Sequence, residues 1–371
     1  MLELAQRMVL CALVCSIYAR ASCPPGCECS EAAHTVKCVS KELQTIPKGI
    51  PGYTRNLFIT GNNISRIGPT CFQGLDNVTN LSLSNNRITE VESNTFADLR
   101  ALRYLDLSSN QLTAIHPEGF SMHNHTLREL NLSRALYNHS AVTDLAAALR
   151  QATLGSLQGL DLSGNGLVFL PPRTFSRLGQ LRRLQLSNNS LVAIYNATFW
   201  GLRRLEELDL TFNALKGVPE EGLRELDALP AASRLLLGDN PFDCTCAIEP
   251  LALWLNRSQD RVRPDAEAPS CASPAPMRNV SLLAAATLSL RCYQRAAGAD
   301  LALQTSYVFL GLVLGLVGLV FLFVLYLNRK GIKKRVNEAR DACREVWEGY
   351  HYRYEIDSDP RLSQVSSNAD A

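Results

Sequence analysis

One apolar pattern recurs through the middle of the chain and limits its fold more than any other feature. The pattern is L-x-x-L-x-L-x-x-N-x-L, and it returns eight times between Leu57 and Phe242. Most copies are 24 or 25 residues apart, with 30 residues after the fourth and 27 before the last. The asparagine position is held by Asn62, Asn86, Asn110, Ala135, Asn165, Asn189, Asn213 and Asn240. This period and consensus are typical of a leucine-rich repeat array.

Each copy also predicts its own local structure. Alternation of apolar and polar residues predicts a short strand with leucines inward and polar residues outward. A buried asparagine can bond the backbone groups that the following turn leaves unpaired. A second anchor follows each asparagine by ten residues and should fill the convex side: Phe72, Phe96, Phe120, Leu145, Phe175, Phe199 and Leu223. Since one copy cannot bury its own apolar face, we predict a stacked α/β solenoid with a cap at each end.

The fourth copy breaks the pattern. Ala135 replaces the asparagine, and an irregular insertion of about residues 135–151 follows. Its Leu145 to Leu149 run predicts a helix, and we expect a bulge that divides the array in two. Loops of repeat proteins often carry function, but drift of the repeat explains the insertion equally well.

The cysteines predict what the caps are made of. Eight of the 12 flank the array, and four in one cap allow three pairings. Clustered cysteines could also hold zinc, but disulfides fit a secreted chain better. We therefore expect cysteine-rich caps at 22–54 and 240–292, around repeats at 55–239. The cap residues are Cys23, Cys27, Cys29, Cys38, Cys244, Cys246, Cys271 and Cys292. Cys71 belongs to neither cap. We expect it to be either a buried thiol beside Phe72 or part of an intermolecular disulfide.

The two ends predict a single-pass membrane protein. Residues 1–21 have the pattern of a secretory signal peptide, with an uncleaved anchor as the alternative. A stalk at 293–306 leads to an uncharged span at 307–327, long enough to cross a bilayer as a helix. Basic residues follow at once, which predicts a cytoplasmic tail at 328–371 and a type I plasma-membrane protein with an extracellular N-terminus. Gly311 and Gly315 form a GxxxG motif, compatible with a homodimer or with chance in a glycine-rich span.

N-glycosylation sequons support the same topology, because all of them lie between the signal and the span. Asn131 stands between two core leucines, so a glycan there would obstruct the middle of the concave face. The acceptors are Asn63, Asn77, Asn80, Asn124, Asn131, Asn138, Asn188, Asn196, Asn256 and Asn279.

The outward strand positions suit a protein partner. They mix charges with scattered aromatics and, at a net charge of +2, lack the basic stripe that nucleic acid would require. The positions are Tyr104, Asp106, Asp161, Arg182, Arg183, Asp209 and Phe212. We predict partner contacts by Lys37, at the sheet edge, by Tyr104, and by Tyr137, in the insertion. Lys37 could instead guard the edge strand, and a solvated face without a partner is the alternative for the whole surface.

No residue pattern predicts catalysis, a metal site or a cofactor. His123, His125 and His139 are the densest set of potential ligands, and without a paired acid or cysteine we interpret them as surface histidines. In the tail, Arg335 to Trp347 can form an amphipathic helix beside the inner leaflet, with Cys343 available for acylation.

Several motifs resemble the trophoblast glycoprotein family. They lie at 27–33 (CECSEAA), 55–58 (RNLF), 304–311 (QTSYVFLG), 324–334 (VLYLNRKGIKK) and 348–356 (EGYHYRYEI). The resemblance implies the pairs Cys23 with Cys29, Cys27 with Cys38, Cys244 with Cys271, and Cys246 with Cys292. It also implies a non-enzymatic cell-surface glycoprotein with links to motility and adhesion. Such a protein would inhibit Wnt/beta-catenin signalling by acting on a Wnt co-receptor of the LDL-receptor-related class.

Other functions share this architecture. An auxiliary ion-channel subunit and an adhesion or guidance receptor have the same order of signal, capped repeats, span and short tail. Tail partners are conceivable, but PDZ binding is doubtful because the chain ends in Ala369, Asp370 and Ala371. The family's PDZ ligand has serine third from the end and valine last.

Overall fold

The computed structural model describes residues 23–122, 126–152, 154–258, 260–261, 269–287 and 293–358. The chain forms two units, one ending at Leu290 and the other beginning at Arg291. The predicted signal peptide, Cys292, Asn124 and the end of the tail lie outside the described residues.

The first unit is built on a ten-stranded sheet. β1 and β2 come from the N-terminal cap and pair antiparallel, whereas every later pair is parallel and in register. Parallel pairing follows because each coil returns the chain to the same side, one layer further on. The strands in sheet order are β1 (Glu28–Ser30), β2 (Thr35–Lys37), β3 (Asn56–Phe58), β5 (Asn80–Ser82), β7 (Tyr104–Asp106), β9 (Glu129–Asn131), β10 (Gly159–Asp161), β11 (Arg183–Gln185), β12 (Glu207–Asp209) and β13 (Arg234–Leu236).

The asparagines form the ladder that the repeat predicts. The Oδ1 atom of Asn189 accepts hydrogen bonds from the backbone N–H groups of Asn165 and Leu167, at 2.9 and 3.1 Å. Its Nδ2 atom donates to the carbonyls of Leu162 and Leu186, at 3.0 and 2.9 Å. One carboxamide thus satisfies buried groups of two consecutive coils, and the α/β solenoid is confirmed.

The second anchors fill the opposite side of the coils. All seven are buried, and the rings of Phe72, Phe96 and Phe120 stack with centroids 5.8 and 6.0 Å apart. Paired strands stand only about 4.8 Å apart, so the wider layer spacing on the phenylalanine side curves the array toward the strands. We therefore call the solvent side of the ten-stranded sheet the concave face. Beside the anchors lies a small parallel sheet of β4 (Arg66–Ile67), β6 (Glu90–Val91) and β8 (Ala114–Ile115).

The insertion in the fourth copy is helical, as predicted, but it does not divide the sheet. Helix α1 (His139–Gln151) begins after Asn138, whose Oδ1 accepts from the Ala141 N–H at 3.0 Å. β9 and β10 still pair in register, so the expected division is wrong for the concave face. The extra residues follow the strand and lie in α1, beside β8.

The missing asparagine of this copy is replaced by backbone. In the neighbouring copies, the corresponding N–H bonds the next asparagine, as Ile88 bonds Asn110. Here the Leu112 N–H donates to the carbonyl of Ala135 at 2.8 Å, and Leu112 forms a parallel bridge with Leu136. The buried donor is satisfied without a carboxamide, so alanine is tolerated.

Three of the four cap disulfides that the resemblance implied are formed, and the fourth includes Cys292, which lies outside the described residues. Cys23 bonds Cys29, Cys27 bonds Cys38, and Cys244 bonds Cys271. Cys246 is also disulfide-bonded. Cys71 is a free thiol and only half-buried, with its Sγ accepting from the Gly68 N–H at 3.3 Å.

The C-terminal cap covers the last coil with a helix. β14 (Phe242–Asp243) pairs with β15 (Cys271–Ser273), around α3 (Glu249–Arg257), with α4 (Leu282–Thr287) following. The α3 residue Trp254 is 1% exposed, and its indole N–H donates to Asp227 of α2 (Glu220–Asp227) at 2.7 Å. The indole therefore covers the end of the apolar core.

The second unit consists of two helices, α5 (Tyr293–Leu327) and α6 (Arg329–Ser358). The predicted stalk is thus the first part of α5. The segment Leu310–Leu327 has a mean hydropathy of 2.8 and is long and apolar enough to cross a membrane. The guanidinium of Arg329 lies 4.5 Å from the Tyr326 ring centroid, where the apolar segment ends.

A candidate protein-binding face

Two columns of side chains cover the concave face. Each concave strand of the repeats has a buried leucine at its centre; the residue before this leucine belongs to the first column, and the residue after it belongs to the second. Because the strands pair in register, successive members of a column are neighbours. The first column is Asn56, Asn80, Tyr104, Glu129, Gly159, Arg183, Glu207 and Arg234. The second is Phe58, Ser82, Asp106, Asn131, Asp161, Gln185, Asp209 and Leu236.

Several members of the second column also hold the turn that follows their strand. Asp106, Asp161 and Asp209 accept from the backbone N–H two residues later, at 3.0, 2.8 and 2.9 Å. Asn131 makes the same bond to the Ser133 N–H at 2.9 Å. These side chains are therefore fixed in position, and a partner would meet a rigid row of acceptors.

The middle of the face is a shallow cavity of about 180 Å³ around Gly159. A Cβ at Gly159 would overlap the Glu129 carboxylate, which occupies the space that a larger residue would need. From there Glu129 Oε1 accepts from an Arg183 guanidinium nitrogen at 2.7 Å, across the intervening strand. Because the Arg183 and Glu129 side chains are 57% and 36% exposed, the pair adds at most about 1 kcal/mol to stability. Its main effect is to offset the Glu129 charge, and the Asp161 carboxylate also lines the cavity.

Tyr104 forms one wall of this cavity and is 37% exposed. Burial raises the pKa of its hydroxyl, and the nearby Asp106 carboxylate raises it further, while a hydrogen bond with Asn131 opposes both. The hydroxyl therefore stays protonated at physiological pH and can donate to a partner.

A second, larger cavity of about 580 Å³ lies at the N-terminal end of the concave face. Lys37 and Phe58 line it from adjacent strands, where they are paired in register, and Glu28 lines it from the other side. Within the described part of the chain, no carboxylate forms an ion pair with Lys37. The Lys37 ammonium and the Phe58 ring can together contact a partner surface that has both acidic and apolar side chains.

The structure brings together two of the three predicted contact residues. Lys37 and Tyr104 share the concave face, three strand spacings apart, or about 14 Å. Tyr137 is 71% exposed but lies off this face, between β9 and α1. Phe58, Glu129 and Gly159 were missed, although their place before or after a core leucine marks them as concave residues.

Comparison with known proteins identifies the family to which this chain belongs. The leucine-rich repeat family model matches residues 53–112 and 155–215, leaving out the irregular fourth copy. Human trophoblast glycoprotein is 46% identical over 364 residues, covering 94% of this chain and 85% of the relative. The chain belongs to the trophoblast glycoprotein family. The rat member is 45% identical over 370 residues, with the same coverage of both chains.

A solved structure from the trophoblast glycoprotein family has the same fold. The crystal structure of human 5T4, also named Wnt-activated inhibitory factor 1, matches with a TM-score of 0.64 and 38% identity. The match covers 71% of this chain and 96% of that one. With the cap disulfides and the apolar helix, family membership identifies a leucine-rich repeat cell-surface protein that spans the membrane once, with its repeats outside.

Proposed function

We propose that this protein inhibits Wnt/beta-catenin signalling by binding a Wnt co-receptor of the LDL-receptor-related class at the plasma membrane. The observation that carries the proposal is the match to human trophoblast glycoprotein over 94% of the chain. The human protein of known structure is also named Wnt-activated inhibitory factor 1. A rigid concave face with polar and aromatic side chains supports protein binding as the means.

The proposed orientation is type I, with residues 1–21 removed as a signal peptide. Arg329, Lys330, Lys333 and Lys334 follow the apolar segment directly, and such clusters stay on the cytoplasmic side. The disulfides of the first unit require an oxidising compartment. Both features support an extracellular position for the repeats.

Within the concave face, the N-terminal end offers the better contact surface. In the central cavity, the Arg183 guanidinium is already paired with Glu129, and the sequon residue Asn131 lies in the wall. At the N-terminal end, the Lys37 ammonium has no ion-pair partner among the described residues and stands beside Phe58. We propose Lys37 and Phe58 as contacts, with Tyr104 at the border of the same surface.

A reporter experiment tests both the function and the surface. Full-length protein in Wnt-treated cells should lower a beta-catenin reporter, and Lys37→Glu should remove most of that inhibition because it reverses the unpaired charge. Lys48→Glu is the matched control, since Lys48 is exposed but lies outside the strands. Surface staining of each variant checks delivery.

Two results would count against the proposal in different ways. A reporter unaffected by wild-type protein at the cell surface would contradict the Wnt function, and an accompanying shift in potassium-channel voltage dependence would favour a channel subunit. Equal inhibition by wild type and Lys37→Glu would retain the function and reject the N-terminal contact surface.

We propose that the sequon asparagines carry glycans, and Asn131 gives the sharpest test. Asn131→Asp should lower the mass of the ectodomain by one glycan and leave the urea midpoint of unfolding nearly unchanged. Aspartate makes the same turn bond in β7, β10 and β12. Intact-mass spectrometry and urea unfolding measure the two effects. An unchanged mass would mean that the middle of the concave face is free of sugar.

A further inference from the structure

The tail helix α6 sorts its side chains by chemistry around its circumference. At 100° per residue, the apolar side chains lie within about 60° of Cys343. We call Ile332, Val336, Ala339, Cys343, Val346 and Trp347 the apolar stripe. Val336, Val346 and Trp347 are 60%, 73% and 70% exposed, and Cys343 is an exposed free thiol. Four exposed side chains of this kind on one face would be unfavourable in bulk water.

Most charged residues from Lys333 to Glu345 are sorted by sign: basic residues flank the stripe on both sides, and acidic residues lie opposite it. Four basic residues flank it at about 60–100°, taking 100° per residue: Lys333, Arg335, Arg340 and Arg344. The acidic residues Glu338, Asp341 and Glu345 lie on the far side, at about 140–160°. The exceptions are Lys330 and Lys334, which lie opposite the stripe at about 140° and 180°, and Arg329, at about 40°. The Lys334 ammonium lies 3.9 Å from the Glu338 carboxylate.

This arrangement matches the chemistry of a membrane surface. Long basic side chains beside an apolar stripe can extend to headgroups while their stems stay in apolar surroundings. Acidic side chains opposite the stripe stay in water, away from anionic headgroups. Amphipathic helices that lie in the interfacial plane bury their apolar face at the boundary between headgroups and acyl chains.

A second copy of the chain fits the stripe less well. In a parallel coiled coil, Val336 and Cys343 would occupy a positions, with Arg335 and Arg340 at the flanking g and e positions. Residues at g and e of partner helices face each other, so the two arginines would repel across the interface. Charge complementarity therefore favours lipid over a second tail.

We propose that α6 lies along the membrane surface that adjoins the span, with the apolar stripe at the headgroup boundary and the flanking basic residues on anionic headgroups. Asn328 lies between α5 and α6, and Gly331 follows in the first turn of α6. Helical hydrogen bonds join Asn328 to Val324 and Ile332 to Asn328, so the proposed change of direction requires the chain to bend at Asn328 and Gly331. Both residue types are weak helix formers. This surface adds an anionic-lipid contact to the protein, separate from its extracellular binding and independent of the proposed Wnt function.

Labelling of the full-length protein in nanodiscs tests the proposal. Two proteins are prepared, both carrying Cys71→Ser. In the first, an environment-sensitive fluorophore is attached to Cys343; in the second, which also carries Asp341→Cys and Cys343→Ser, it is attached at position 341. With phosphatidylserine present, spin-labelled lipids should quench the label at 343 several-fold more than the label at 341. Equal, weak quenching at both positions would mean that the helix projects into water and would overturn the proposal.

Paired charge reversals separate geometry from net charge. Arg335→Glu with Arg340→Glu should remove most of the quenching at 343, whereas Lys330→Glu with Lys334→Glu should leave most of it. The two pairs change the net charge equally, so equal losses would contradict the proposed orientation. Disulfide crosslinking of two copies through unlabelled Cys343, without lipid quenching of the label, would assign the stripe to a dimer instead.

Discussion

Phe96→Ala should destabilise the extracellular unit by about 3–5 kcal/mol, the usual cost of removing a buried phenylalanine. Phe96 is fully buried, and its ring lies between those of Phe72 and Phe120. Truncation therefore removes two ring contacts and opens a cavity between consecutive coils. Urea unfolding of residues 23–292, followed by circular dichroism with the disulfides intact, measures the change.

The matched control for this substitution is Phe169→Ala. It removes the same side chain from a position that is 47% exposed, so its cost should be within about 1 kcal/mol of zero. A loss at Phe96 no larger than the loss at Phe169 would show that the stacked rings do not hold the coils together.

Asn110→Ala should cost roughly 2–6 kcal/mol, because it leaves two buried backbone groups unpaired at about 1–3 kcal/mol each. Asn110 accepts from the Ile88 N–H at 3.0 Å and donates to the Leu107 carbonyl at 2.8 Å. A third bond reaches the Leu83 carbonyl, which Asn86 also satisfies. The same urea measurement on residues 23–292 gives the change.

The adjacent Gln111→Ala supplies the control, since it deletes a carboxamide that is exposed to solvent. Its effect should be within about 0.5 kcal/mol of zero. The natural alanine at position 135 does not weaken the prediction, because there the Leu112–Leu136 bridge provides the missing bond. Equal stability of the two variants would mean that the ladder bonds contribute little.

Some features of the molecule are local and periodic, and the sequence was sufficient to predict them. Inward leucines, the asparagine ladder and the second anchors repeat at one spacing, and each copy needs only its neighbours to bury them. The apolar helix followed by basic residues was likewise predicted, because its chemistry lies within one segment. Strand alternation alone put Tyr104 on the concave face and turned Lys37 to solvent. The expected place of Lys37 at the sheet edge is wrong, because β1 pairs with β2 and forms the edge instead.

The candidate site was predicted less completely, since its pairings join distant residues. Glu129 and Arg183 are 54 positions apart and meet over Gly159 only because β9, β10 and β11 are in register. Lys37 and Phe58 are neighbours for the same reason. The effect of the fourth-copy insertion on the sheet also depended on packing. Helix α1 packs beside β8, and the pairing of β9 with β10 is kept.

The sequence by itself therefore determined the coil, its caps and its membrane anchor, because periodic burial and segment chemistry are properties of the chain read in order. Only the tertiary structure decided which side chains share a cavity and which charges neutralise each other on the concave face. Those contacts depend on the register between coils, which stacking sets and no single copy encodes.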